Sequence, residues 1–183
     1  MGWSATNFDG VYIFEPKIWH DERGYFVETF NSNSLTDLPI NANFVQDNEA
    51  KSTKGVLRGL HYQCGVHAQS KLVRVVTGEV LDVIVDLRPD QPTYGKHLSV
   101  ILNEISKKQL YVPRGFAHGY VVLSDEAIFA YKCDNHYNKA SEGGLLFNDP
   151  QLNIDWILDP NDLIISEKDK INPTFGEHKA VDL

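Results

Sequence analysis

The stretch Val56-Leu57-Arg58-Gly59-Leu60-His61-Tyr62-Gln63 is of strand length, bounded by turn residues, and shows no helical period. Read as a strand, it sends alternate side chains to opposite faces, with Arg58, Leu60 and Tyr62 on one side and Gly59, His61 and Gln63 on the other. Arg58 and His61 then point apart. Both reach one ligand only if the strand bulges or twists, and Gly59 between them makes such a bulge inexpensive. Without a bulge, Arg58 belongs to a surface or inter-strand ion pair.

Outward from this stretch the chain repeats the same grammar, short runs of Val, Ile, Tyr and Phe set between Gly, Pro, Asn and Asp clusters. Expected strands are Val11 to Glu15, Tyr25 to Phe30, Phe44 to Asn48, Val56 to Tyr62, Lys71 to Thr77, Val80 to Leu87, Leu98 to Leu102, Gln109 to Val112, Gly119 to Leu123 and Ala127 to Cys133. Thr77-Gly78-Glu79, Arg88-Pro89-Asp90 and Pro113-Arg114-Gly115 supply turns. Helix is expected only in short pieces, at Asn33 to Leu38 and Asp159 to Ile165. No repeat or linker divides the chain. The expectation is one all-β domain over residues 1–183, an antiparallel β-barrel with short peripheral helices and a less regular C-terminal segment wrapping over it.

Composition narrows the function. The 183 residues are 42% hydrophobic, enough to bury a core without staples, and the formal net charge is -8. That balance argues against a nucleic-acid backbone as partner. An anionic small molecule needs a local basic pocket instead. Met1 to Asp9 hold neither a basic start nor an apolar run, and no uncharged stretch approaches the roughly 18 residues that span a bilayer, so no membrane association and a cytoplasmic location are expected. Cys64 and Cys133 lack CxxC spacing and suit a reducing compartment.

Three histidines, His61, His67 and His118, lie mid-chain near turns. A small-barrel metal site of the cupin type would need two histidines, an acidic residue and a later histidine. Here Pro113-x-Gly115-x-x-His118 fits the later half. The earlier half reads His61-Tyr62-Gln63, with Lys71 where the acidic ligand belongs. Gln is a poor ligand for Zn²⁺ or Fe²⁺, and an ammonium repels a divalent cation, so neither metal nor another cofactor is expected. The same residues suit acid–base chemistry beside a ketone. An imidazole removes the proton, Lys71 stabilises the resulting oxyanion, and the Tyr131 phenol returns a proton from another direction.

Taken together the motifs resemble the dTDP-4-dehydrorhamnose 3,5-epimerase family of nucleotide-sugar epimerases. The likeness runs through Asp21-Glu22-Arg23-Gly24-Tyr25-Phe26-Val27-Glu28, Phe44-Val45-Gln46-Asp47-Asn48, Val56 to Gln63, Gln69-Ser70-Lys71-Leu72-Val73, Asp82-Val83-Ile84-Val85-Asp86-Leu87-Arg88, Pro113-Arg114-Gly115-Phe116-Ala117-His118-Gly119 and Ser166-Glu167-Lys168-Asp169. It implies a cupin-like jelly roll without metal. It further implies inversion of C3 and C5 of dTDP-4-dehydro-6-deoxy-D-glucose, or, as the alternative, of one centre or of a different nucleotide-linked 4-keto-6-deoxy sugar.

By the same resemblance His61 is the base, Asp169 its orienting carboxylate, Tyr131 the acid on the opposite face and Lys71 the cation at the C4 oxygen. Arg23, Glu28, Gln46, Asn48, Arg58, His118, Glu142 and Lys168 match positions that hold the nucleotide and phosphates, and Tyr137 matches the aromatic that stacks on the base. The Arg23 and Glu28 positions reach across from a partner subunit in the family, so a homodimer is implied. Two opposed groups answer the chemistry, because a single histidine would return the hydrogen to the face it left. Arg23, Arg58 and Lys168 supply the basic pocket. The chain departs from the family at Cys64-Gly65-Val66-His67-Ala68, where proline is frequent, and at Tyr62 and Tyr120, where Phe is common.

Overall fold

The computed structural model describes residues 2–36, 38–40 and 42–183. Its strands are β1 (Gly2–Ala5), β2 (Tyr12–Glu15), β3 (Ile18–Asp21), β4 (Gly24–Val27), β5 (Gln46–Thr53), β6 (Val56–Gln63), β7 (Lys71–Thr77), β8 (Glu79–Asp86), β9 (His97–Asn103), β10 (Gln109–Val112), β11 (Phe116–Val122), β12 (Glu126–Cys133), β13 (Glu142–Gly144) and β14 (Ile164–Ile165). The only α-helix among the described residues is the single turn α1 (Glu167–Lys170). One sheet runs β1-β2-β10-β7-β12-β5, and the facing sheet runs β13-β6-β11-β8-β9 with β14 added in parallel to β6. Among the described residues β3 and β4 pair only with each other. The architecture is a cupin-like jelly roll.

Two cores hold it together. The barrel interior is filled from both sheets by Val73, Val75, Leu110 and Phe129 against Val80, Ile84, Phe116 and Tyr120. The second core lies on the outer face of the β6-β11-β8 sheet, where Leu57, Leu60, Leu81, Val83 and Val121 meet Leu145, Leu152, Trp156 and Val181 of the C-terminal segment. Each fully buried aliphatic or Phe side chain of this size stabilises the fold by about 1.5–3 kcal/mol. β8 is therefore buried on both faces, which explains its almost unbroken apolar run. β5 is the opposite case. Its inward residues Gln46, Asn48 and Ala50 are small or polar and half-buried, and the expected strand ending at Asn48 in fact continues to Thr53.

β6 carries the bulge on which the site depends. His61 pairs with His118 and Arg58 with Tyr120, so Gly59 and Leu60 together face the single residue Gly119. Gly59 has φ +129°, and a Cβ there would lie 2.5 Å from Gly119 Cα and 2.9 Å from the His118 carbonyl oxygen. The extra residue resets the alternation. Arg58 and His61 both face the cavity, while Leu57, Leu60 and Tyr62 pack into the second core. Simple alternation, which grouped Arg58 with Leu60 and Tyr62, is corrected by this register shift.

The short helices differ from expectation. Over Asp159 to Ile165, the Asp159 side chain caps a 3-10 turn at Pro160–Asp162, and Ile164 and Ile165 then leave as β14, with the Ile164 N–H donating to the Gly55 carbonyl at 2.9 Å. Pairing with a strand edge prevails over a helix too short to be stable alone. Over Asn33 to Leu38, a 3-10 turn spans Ser32–Leu35, capped by Asn31, and Asp37 lies outside the described residues. No helix among the described residues is long and apolar enough to cross a membrane.

Candidate active site

The inward face of the barrel is incompletely filled. Between the sheets lies a cavity of about 520 Å³, lined in part by Arg58, His61, Lys71, His118, Tyr131, Lys168 and Asp169. A second compartment of about 360 Å³ adjoins it, lined by Gln46, Asn48, Tyr137, Glu142 and others. His61, Lys71 and Tyr131 line both, so the expected base, cation and acid stand at the junction of the two compartments. Three strands deliver them, β6, β7 and β12, each through an inward-facing position.

His61 is held from behind. Its Nε2 lies 2.6 Å from Oδ1 of Asp169, whose side chain is only 5% exposed against 33% for the imidazole. The Gly59 N–H donates to Asp169 Oδ2 at 3.4 Å, and the Asp169 N–H donates to Ser166 Oγ at 3.1 Å, closing the first turn of α1. Burial works to raise the Asp169 carboxyl, and the hydrogen bond and charge of His61 outweigh it, leaving the carboxyl below its ordinary value. An ionised carboxylate fixed on one ring nitrogen leaves the other free toward the cavity, as a general base requires.

Burial pushes the Tyr131 phenol above its ordinary value, with Cys133 and Tyr120 adding to the rise and Arg58 opposing it. It therefore carries its proton at neutral pH and can donate it. Lys71 Nζ lies 5.9 Å from the Tyr131 ring centroid and has no hydrogen-bond or ion-pair partner among the described residues. Burial lowers its pKa, opposed by Cys133, Asp82 and Glu142. Such a cation is held for a negative charge that arrives with, or develops on, a ligand.

The second compartment is polar and internally connected. Gln46 Nε2 donates to Asn48 Oδ1 at 3.0 Å, and Glu142 accepts from Lys168 Nζ at 2.6 Å and from the Tyr137 hydroxyl at 3.1 Å. Burial works to raise Glu142, and Lys168 more than offsets it, so Glu142 lies below its ordinary value. Gln63 has its Oε1 taken by the Asn138 N–H at 2.9 Å. Among the described residues no group of three His, Cys, Asp or Glu side chains is placed to hold a metal ion. Arg58 Nε donates to Ser52 Oγ at 3.1 Å, a partner not anticipated from the sequence, although Ser52 is an inward position of β5.

Two expected ligand residues are not brought to the cavity. Arg23 sits on the β3–β4 hairpin with Asp21 as its ion-pair partner, and Glu28 lines a separate surface depression near Phe14, Lys17 and Trp19. Asp82 was missed altogether. It lies in a motif quoted from the sequence, and its inward parity on β8, opposite the strand of His118, was the available signal.

Comparison with known proteins finds relatives in both sequence and fold. Residues 5–177 match the family model described as dTDP-4-dehydrorhamnose 3,5-epimerase. A dTDP-4-dehydrorhamnose 3,5-epimerase of Shigella flexneri is 52% identical over 166 residues, 90% of each chain. The crystal structure of the enzyme of that name from Elizabethkingia anophelis superposes with a TM-score of 0.93 at 52% identity, covering 97% of both chains. A Legionella pneumophila dTDP-6-deoxy-D-glucose-3,5-epimerase, solved with dTDP-4-keto-L-rhamnose, gives a TM-score of 0.92 at 46% identity, covering 96% of this chain and 93% of the other.

Proposed function

The chain belongs to the dTDP-4-dehydrorhamnose 3,5-epimerase family, and from that premise we propose how its cavity performs the reaction. The enzyme is a nucleotide-sugar isomerase that inverts C3 and C5 of dTDP-4-dehydro-6-deoxy-D-glucose to give dTDP-4-dehydro-L-rhamnose. His61, fixed by Asp169, removes the proton beside the C4 ketone. The electron pair moves onto the C4 oxygen, and the resulting enolate is stabilised by the Lys71 ammonium. Tyr131 then delivers a proton to the opposite face; the phenolate takes one back from water, and His61 returns the proton it removed to solvent before it acts again. One ketone acidifies both neighbouring carbons, so one base serves two centres when the ring is presented twice.

The observation that carries this reading is the convergence of His61, Lys71 and Tyr131 at the junction of the two compartments, with His61 backed by a buried carboxylate at 2.6 Å. The polar compartment bearing Tyr137, Glu142, Gln46 and Asn48 suits the nucleotide, and Arg58 and Lys168 suit its pyrophosphate. Arg23 and Glu28 complete the site of a second subunit. The hairpin that carries Arg23 exposes Trp19, Tyr25 and Phe26 by 45%, 56% and 67%, an apolar surface of the kind that a homodimer covers. A nucleotide-sugar substrate and two free thiols suit a cytoplasmic enzyme.

Incubation of the purified 4-keto sugar nucleotide with the enzyme in D2O tests the assignment. Deuterium at both C3 and C5 is expected. Label at one carbon would show a single-centre epimerase instead, and bound but unlabelled sugar a binding module.

A further inference from the structure

Asp82 has no part in the mechanism above, yet it is a fully buried acid standing directly behind His118, which lines the cavity. Its side chain has no solvent exposure, Oδ2 lies 2.8 Å from Nε2 of His118, and Oδ1 has no hydrogen-bond partner among the described residues. A buried carboxylate oxygen without a donor is costly and calls for an explanation. The complementary anomaly is Lys71, a cation without a partner that lines the same cavity as His118. Strand parity turns both inward, Asp82 from β8 and Lys71 from β7.

The other groups that face Lys71 are already committed or uncharged. Glu142 is occupied by Lys168 and Tyr137, and Asp169 by His61 and the Gly59 N–H. Cys133 and Tyr131, on the neighbouring strand β12, are pushed up by burial and remain neutral. Arg58 is a cation and is tied to Ser52. Asp82 is bound to His118 through Oδ2 alone, and its Oδ1 is the carboxylate oxygen left without a donor among the described residues. We infer that Asp82 is a positioning residue, the fixed anion that keeps Lys71 an ammonium inside the cavity while it holds His118 through Nε2. The site then contains two histidine–carboxylate pairs of different purpose. Asp169 orients the base, and Asp82 maintains the charge on the oxyanion side.

This inference rests on the reading of Lys71 as the oxyanion partner, and the test separates the two. Deuterium exchange into the sugar is followed against pH for the wild-type chain, Asp82→Asn, Lys71→Met and the double variant Lys71→Arg with Asp82→Asn. Without its counter-charge Lys71 loses its proton at lower pH. The alkaline limb of Asp82→Asn should therefore move to lower pH, with at least about a tenfold loss where the wild type is fully active. Arginine does not titrate in this range, so the double variant should lose that shift. A folded Asp82→Asn chain with an unmoved alkaline limb overturns the inference. Lys71→Met with wild-type exchange instead removes the oxyanion reading, and this inference with it. Folding of the variants is not required for a second measurement, competitive acetylation of Lys71 in the wild-type chain across pH, read by mass spectrometry. An ammonium persisting above neutral pH is expected. Titration near about 5–6, as for an uncompensated buried lysine, contradicts it.

Discussion

At the scale of single residues, the proposed mechanism assigns the two faces of the sugar ring to side chains that differ in how firmly they are held. His61 is locked by Asp169, whereas the Tyr131 hydroxyl is free of protein partners among the described residues and available to the ligand. Tyr131→Phe should therefore spare proton removal and impair inversion. Exchange of solvent deuterium should continue while product formation falls by about 10²-fold or more, and unaltered stereochemistry and rate would remove Tyr131 from the mechanism. Asp169 makes a prediction about pH. Its carboxyl is below its ordinary value in the folded chain, so its contribution to stability is full above the unfolded-state value of about 3.9 and is lost as pH falls through the folded value. The melting-temperature difference between the wild type and Asp169→Asn should shrink on acidification from about pH 6 to about pH 3, and a constant difference would contradict the assignment. His61, Lys71 and Tyr131 were legible because their chemistry is rare on apolar strands. The partnership of His61 with a residue 108 positions later was reachable only through the family resemblance. For Asp82 the inward parity of β8 was legible, but its pairing with His118 shows only once the strands are in register.

At the scale of elements, the β6 bulge decides whether Arg58 and His61 can serve one ligand. The sequence named Gly59 as the residue that makes a bulge inexpensive, and the register supplies the reason that glycine is required there, since Gly59 and Gly119 approach too closely for a side chain on either. Gly59→Ala should cost about 2–4 kcal/mol and lower the melting temperature by about 5–15 °C, the sum of backbone strain and crowding. Gly24→Ala is the control, because Gly24 has a similar φ of +125° with no atom within 4 Å of the added Cβ. Equal losses at the two positions would show that the close approach does not matter. Elements with polar inward faces were the least legible. β5 lines a cavity, not a packed core, so it lacks the apolar alternation that marks a half-buried strand, and β14 is two residues long. The Asp159 to Ile165 segment has a good cap, but Pro160 opens only a 3-10 turn before the β6 edge captures Ile164.

At the scale of the whole molecule, two cores divide the labour. The barrel interior leaves a cavity, and the C-terminal segment seals the outer face of the sheet that carries His61, so that β6 is braced from behind. The barrel and its wrapping segment were legible from strand patterning. The β3–β4 hairpin was legible only in part, since a strand was expected at Tyr25 to Phe30, where β4 spans Gly24–Val27, and none was expected at β3. On the proposed homodimer, Phe26→Glu combined with Trp19→Glu should give a monomer in analytical ultracentrifugation and raise KM with a smaller change in kcat, the outcome expected when Arg23 and Glu28 complete a neighbouring site. A wild-type chain that sediments as a monomer would contradict the dimer. The claim that binds all three scales is that His61 is the base for both carbons. Its most direct test is the rate of deuterium incorporation at C3 and C5 by His61→Asn in D2O, compared with the wild type on the purified 4-keto sugar nucleotide. The account predicts a loss of about 10²- to 10⁴-fold at both carbons together; near-normal exchange at either carbon would contradict it.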